Sequence, residues 1–155
     1  MAHILKDNNA KSYCYPGGTL DYLKSRIRHT NDKTNPSHVI LMAGDIEAAN
    51  NVHPDAINTK FEQLVREIRR VYPWSRLILV GLATTGSFKR RVAIHRLNAL
   101  MQHMASNERM IAFVNNDNSR LKDNIHLTLA SKEALGRRIT QIIKKPHLDA
   151  LRWFR

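Results

Sequence analysis

His38-Val39-Ile40-Leu41-Met42-Ala43 runs without interruption into Gly44-Asp45, and this nearly unbroken apolar stretch decides the fold class. A strand with one wet face alternates apolar and polar residues, whereas a strand covered on both faces by helices is apolar throughout. Arg76-Leu77-Ile78-Leu79-Val80-Gly81 repeats the pattern, and two shorter runs, residues 12–15 and 110–114, complete a set of four expected strands. Between them the apolar residues fall three and four apart: Leu20, Leu23 and Ile27; Ile57, Phe61, Leu64, Ile68 and Val71; Ala93, Leu97, Leu100 and Met104; Leu135, Ile139 and Ile142. That spacing gathers each set on one face of a helix. Pro54 and Asp55 mark the start of the second helix and Pro73 lies just past its end, while Ser131 is placed to cap the last. Strand and helix alternate four times, so the expected fold is α/β: a three-layer sandwich with a mainly parallel sheet and right-handed crossovers.

The chain has 155 residues, 43% of them hydrophobic, enough for one core and too few for two ordinary domains. The expected division is a domain over residues 1–145 and a tail over 146–155, where Pro146 follows the last helix. Trp153 and Phe154 in that tail are expected to pack back on the domain. No apolar run is long enough to span a bilayer and the first residues lack the signature of a signal peptide, so the reading is a soluble, intracellular protein, cytoplasmic or nuclear, without a membrane partner. Cys14, the single cysteine, sits between Tyr13 and Tyr15 and reads as a buried thiol.

In a parallel α/β sheet the chemistry gathers at the carboxyl ends of the strands. Those ends are Pro16-Gly17-Gly18, Gly44-Asp45-Ile46-Glu47, residues 83–87 and the polar stretch 115–126. Ser87 is the one serine at this edge with any claim as a nucleophile; its position after Gly86 and before a basic helix also reads as a turn and an N-cap. Eight histidines are many for this length, but His95 and His103 are eight residues apart with no acidic or cysteine cluster, so neither metal nor cofactor is expected. Twenty-five Lys and Arg against 13 Asp and Glu leave a charge of +12, spread over Arg66, Arg69 and Arg70, then Lys89, Arg90, Arg91 and Arg96, then Arg137, Arg138, Lys144 and Lys145. Lys89, Arg90, Arg91, Arg137 and Arg138 are the candidate contacts for nucleic acid or another anion, though no aromatic stacking motif interleaves with them.

Taken in order, several of these segments resemble the blocks of the SGNH, or GDSL-type, hydrolases, including the esterase-like domains of some mobile-element proteins. Tyr15-Pro16-Gly17-Gly18-Thr19-Leu20 resembles the second block, which would make Gly17 a backbone N–H donor to the oxyanion. The stretch 39–47 resembles the third, with Ile46 where the family has its oxyanion Asn and Glu47 where it has the following Asp. Leu97-Asn98 resembles the Leu-Asn pair of a family helix, and Asp123-Asn124-Ile125-His126 resembles the last block, with His126 as general base and Asp123 as its orienter. The likeness spans about residues 12–144 and implies an SGNH or flavodoxin-like sandwich acting on small carboxylic or acetyl esters. It also implies what is missing: the nucleophile serine belongs to a Gly-Asp-Ser segment closing a first strand that lies between the strands matching residues 12–15 and 38–43, and no such segment precedes Pro16.

Three readings follow. The chain is an SGNH-like domain degenerate in catalysis; or a basic nucleic-acid-binding module on the same scaffold, as in a retroelement protein; or a fragment that needs a second copy or a partner chain to supply the missing interior strand and cover the exposed sheet edges, a gap that residues 2–5 fill only in part.

Overall fold

The computed structural model describes residues 10–13, 15, 17–30, 36–117, 127–143 and 151–154. Its elements are β1 (Ala10–Tyr13), α1 (Leu20–Arg28), β2 (His38–Leu41), α2 (Asp45–Ala49), α3 (Pro54–Val71), β3 (Arg76–Val80), α4 (Phe88–Asn107), β4 (Ile111–Val114), α5 (Leu129–Ile143) and β5 (Leu151–Phe154). Among the described residues the strands form one five-stranded sheet in the order β1-β5-β2-β3-β4, parallel throughout. β2 is buried at every position and β3 from Leu77 onward, as strands sandwiched between helices must be.

The α/β class is as the sequence implies, and so are four of the helices. α3 buries Ile57, Phe61, Leu64 and Ile68 along one stripe, none more than 1% exposed. Each such side chain contributes about 1.5–3 kcal/mol on leaving water. Pro54 begins α3, where its missing N–H costs nothing. α1, α3 and α4 pack side by side as one layer. The steps β1 to β2, β2 to β3 and β3 to β4 all run the same way across the sheet, and only the step from β4 to β5 returns, so right-handed crossovers put α5 on the opposite face.

Four details differ from the sequence reading. The first strand covers Ala10–Tyr13 rather than 12–15. The Gly44-Asp45-Ile46-Glu47 segment, expected as loop, turns at once into the short helix α2. Ser131 is not the cap of α5: its own N–H donates to Thr128 Oγ1 at 3.2 Å, so Thr128 holds that end. The largest difference is at the end of the chain. Leu151–Phe154, expected as part of a tail, is a strand in the middle of the sheet, paired with β1 through Ala10 to Tyr13 and with β2 through Val39 to Leu41. Unpaired N–H and C=O groups on the facing edges of β1 and β2 are what four extended residues satisfy there. The Phe154 carbonyl accepts from Met42 N–H at 2.9 Å, and the Phe154 side chain is 2% exposed, its ring 6.2 Å from that of Tyr72. This strand, rather than residues 2–5 or a second chain, lies between β1 and β2.

Candidate active-site edge

Because all five strands are parallel, their carboxyl ends share one edge, where Gly17, Gly44 to Glu47, residues 81–87 and residues 115–117 come together with the end of β5. The helices after β1, β2 and β3 lie in one layer and the helix before β5 in the other, so β5 is where the chain reverses. Ligands of open α/β sheets bind in the crevice outside such a switch point. Here the elements on either side of that switch point are the Gly17-Gly18 turn after β1 and α2 after β2.

The turn after β1 is tightly built. Gly18 N–H donates to Tyr15 C=O at 2.8 Å, and Gly17 takes a φ of +71°, a left-handed conformation that favours glycine. A Cβ on Gly18 would stand 2.8 Å from the Tyr15 oxygen, whereas Gly17 has open space around it and is constrained by its φ alone. Tyr15 is fixed by the edge of Tyr22, centroids 5.5 Å apart, and by the Arg26 guanidinium 5.4 Å over its ring. Thr19 Oγ1 then accepts Tyr22 N–H and starts α1.

On the β2 side Gly44, at φ +110°, turns the strand into α2 with Leu97 so close that a Cβ would meet its Cδ2 at 2.5 Å. The turn carries Glu47 inward. The residue is 4% exposed, Oε1 accepts Leu20 N–H at 2.9 Å, and Oε2 is buried without a hydrogen-bond partner among the described residues. Burial holds this carboxyl above the usual carboxylate range, against the lowering effect of the Leu20 hydrogen bond. Glu47 thus ties the head of α1, and with it the Gly17-Gly18 turn, to the segment after β2. Its neighbour Ile46 is half-buried and its side chain offers no donor.

A second network organises the ends of β3 and β4. Asn98, buried on α4, accepts Leu82 N–H at 2.8 Å and donates to Leu82 C=O at 2.9 Å and to Asp117 Oδ1 at 3.1 Å. Thr84 Oγ1 reaches the same Asp117 oxygen at 3.3 Å, and Asp117 N–H donates to Asn115 Oδ1 at 2.8 Å. Arg138 crosses from α5 to donate to Asn115 C=O at 2.7 Å. So Asn98, seen in the sequence as half of a Leu-Asn pair, locks two loops together. The sequence places Glu47 and Asp117 in segments at this edge and marks Arg138 only as a basic residue of the last helix; the hydrogen bonds that each makes there are not legible in it.

The remaining expected residues divide. Gly17 stands at the edge, and Ser87 stands there as the cap of α4, its Oγ accepting Arg90 N–H at 3.3 Å. Asp123, His126 and Cys14 lie outside the described residues. Of the basic residues, Arg66, Arg69, Arg70 and Arg96 are taken up by Glu62, Glu108, Glu67 and Asp55. Lys89, Arg91 and Arg137 have no ion pair among the described residues. Nor do three His, Cys, Asp or Glu side chains gather there as metal ligands. Among the described residues no helix is long and apolar enough to cross a membrane.

No protein-family model matches the chain, and no curated protein matches it in sequence. Solved structures do match. A protein of Bacteroides fragilis described as an acylhydrolase is similar with a TM-score of 0.74 at 20% identity, over 92% of this chain and 77% of that one. A family 3 carbohydrate esterase of Clostridium thermocellum gives 0.64 at 18% identity, over 81% of this chain and 64% of that one. A carbohydrate acetylesterase of Sinorhizobium meliloti gives 0.62 at 16% identity, over 88% and 74%. The chain therefore resembles the fold of SGNH-type acylhydrolases and esterases, and it spans less than two thirds of the Clostridium protein's length.

Proposed function

We propose that this chain is an SGNH-like domain degenerate in serine-esterase catalysis, retaining a crevice for a small carboxylic or acetyl ester with Gly17 as oxyanion donor, His126 as base and Asp123 as orienter. The reading is supported by the occupant of the slot between β1 and β2. In the resemblance that slot belongs to the first strand, which delivers the nucleophile; here it holds β5, the last strand in chain order, whose residues Leu151-Arg152-Trp153-Phe154 carry no hydroxyl.

The chemistry explains why this matters. In ester cleavage by a serine, the imidazole takes the hydroxyl proton as oxygen attacks the carbonyl, the oxyanion is held by backbone and side-chain donors, and the imidazolium returns the proton to the leaving alkoxide. Without the hydroxyl, His126 has only water to activate, and with Ile46 in place of the family Asn one oxyanion donor is lost, at a cost of about 10²- to 10³-fold. Ser87 offers no ready substitute, since its hydroxyl caps a helix.

Hydrolysis of p-nitrophenyl acetate tests the reading. The expected rate is the background of surface histidines, unchanged by His126→Ala. Saturable turnover abolished by that substitution would overturn the degenerate reading and make the domain an active esterase.

A further inference from the structure

The head of α4 carries an arrangement that the hydrolase reading leaves unused. An apolar hollow of about 290 Å³ opens between residues 51–54 and the first turns of α4, lined by Val52, His53, Pro54, Phe88, Lys89 and Val92. Phe88 is 73% exposed and Val92 36%. Residues three, four and seven apart share a helix face, so Phe88, Arg91, Val92 and His95 form one stripe beside the hollow, all exposed, with Lys89 on its rim.

The electrostatics at this spot run against helix stability. The first turn of α4 holds Lys89, Arg90 and Arg91 and no acidic residue, although the amino end of a 20-residue helix favours negative charge. The acid nearest the hollow in sequence, Asp55, is engaged by Arg96 and lies 3.8 Å from His53. Lys89 and Arg91 have no ion pair among the described residues. α3 differs: its cations at 66, 69 and 70 are matched by carboxylates. Cations concentrated where the backbone already repels them, beside an aromatic ring left in water, depart from the local rules followed elsewhere in the chain, and such departures mark sites of function.

We propose that this surface binds single-stranded nucleic acid, one base lying in the hollow against Phe88 and the flanking phosphates on Lys89 and Arg91. Charge selects the polymer, since the protein carries +12 and this stripe holds part of its unmatched share. Shape selects the single strand: an unpaired base presents a flat face to an exposed ring, whereas bases stacked in a duplex cannot enter a hollow of this size. His53 accepts Asp55 N–H through Nδ1 at 3.1 Å, which leaves Nε2 as a donor on the opposite wall. The inference is independent of ester chemistry, because it uses none of Gly17, Asp123 or His126.

Fluorescence anisotropy with a labelled oligothymidylate of about 16 nucleotides tests it. Phe88→Ala is expected to weaken binding about tenfold. The double variant Lys89→Gln with Arg91→Gln is expected to lower the slope of log K against log salt by about 1.4, two phosphates at about 0.7 each. Arg66→Gln, the same kind of change on α3, should leave affinity and slope as they are. All these positions are exposed, and thermal melts matching the parent verify folding. Absent binding at low salt, an ineffective Phe88→Ala, or an equal loss from Arg66→Gln would each overturn the proposal. Binding to phosphatidylserine vesicles that competes out the oligonucleotide and is equally sensitive to Phe88→Ala would reassign the surface to a membrane.

Discussion

At the scale of single residues, Glu47 carries the most information. Two influences oppose each other at its carboxyl: the Leu20 N–H favours the ionised form, and burial favours the neutral one. Burial wins, so the folded protein holds this proton more tightly than the unfolded chain does. Between the ordinary value of 4.5 and the raised folded value, stability should therefore fall as pH rises, with the penalty complete above the folded value. Glu67 acts in the other window. Its hydrogen bond to Arg70, and then that to Arg28, lower its pKa, so the stability it contributes is present above 4.5 and is lost as pH drops through its folded value. We expect Glu47→Gln, which keeps an acceptor for Leu20 N–H, to remove the downward slope above pH 4.5 and leave the acid limb unchanged. Urea midpoints measured from that pH to neutrality check this, and parallel slopes for parent and variant would refute it. The sequence places Glu47 after a strand and shows its type; that it points inward follows from the left-handed turn at Gly44, which only the fold reveals.

At the scale of elements, α4 shows how a catalytic suspicion and a structural role separate. Ser87 Oγ satisfies Arg90 N–H, one of the donors that the first helical turn leaves without a partner. Ser87→Ala is expected to cost about 1 kcal/mol in urea unfolding, the usual loss of a helix cap, with no change in ester hydrolysis. A fall in hydrolysis at unchanged stability would instead make this serine a nucleophile. The helices were legible because each states its face several times over: α3 repeats the signal at Ile57, Phe61, Leu64 and Ile68, and Pro54 fixes its start. α2 was not, since its five residues are too few to show a period and the glycine before it reads as a loop. At the start of α5 two hydroxyls three residues apart, on Thr128 and Ser131, fit the pattern of a cap equally well, and only the fold selects Thr128. In the candidate site, Gly17 and Asn98 were visible as residues within motifs. For Asp117 and Arg138 only the polar stretch and the basic helix are visible; their bonds to Asn98 and to Asn115 join segments that are distant in sequence. Phe88 stands in plain sight before three cations, yet burial and exposure of an aromatic look alike in sequence.

At the scale of the molecule, the sheet depends on its last strand. Without β5, β1 and β2 would face each other across a gap one strand wide, neighbouring strands being about 4.8 Å apart, and two rows of backbone groups would lose their partners. The sequence shows why such a gap needs filling but not what fills it, because four residues with two cations' worth of context carry no strand period and the pairing joins residue 10 to residue 151. Such distant pairing also comes late in folding, since a long loop must close before the contact forms. Phe154 is the strand's anchor in the core, and Phe154→Ala should cost about 3 kcal/mol, in the range for a buried aromatic. Deleting residues 151–155 should do more. The exposed edges of β1 and β2 are templates for intermolecular pairing, so the shortened chain is expected to self-associate and to lose cooperative melting. Hydrogen exchange separates this from simple loss of a tail. In the full chain the Met42 amide, bonded to the Phe154 carbonyl, should exchange slowly, and in the shortened chain it should exchange fast while amides shared by β3 and β4, such as Leu79, stay protected. A shortened chain that stays monomeric, melts as the parent does and keeps the Met42 amide protected would show that the slot between β1 and β2 does not need β5.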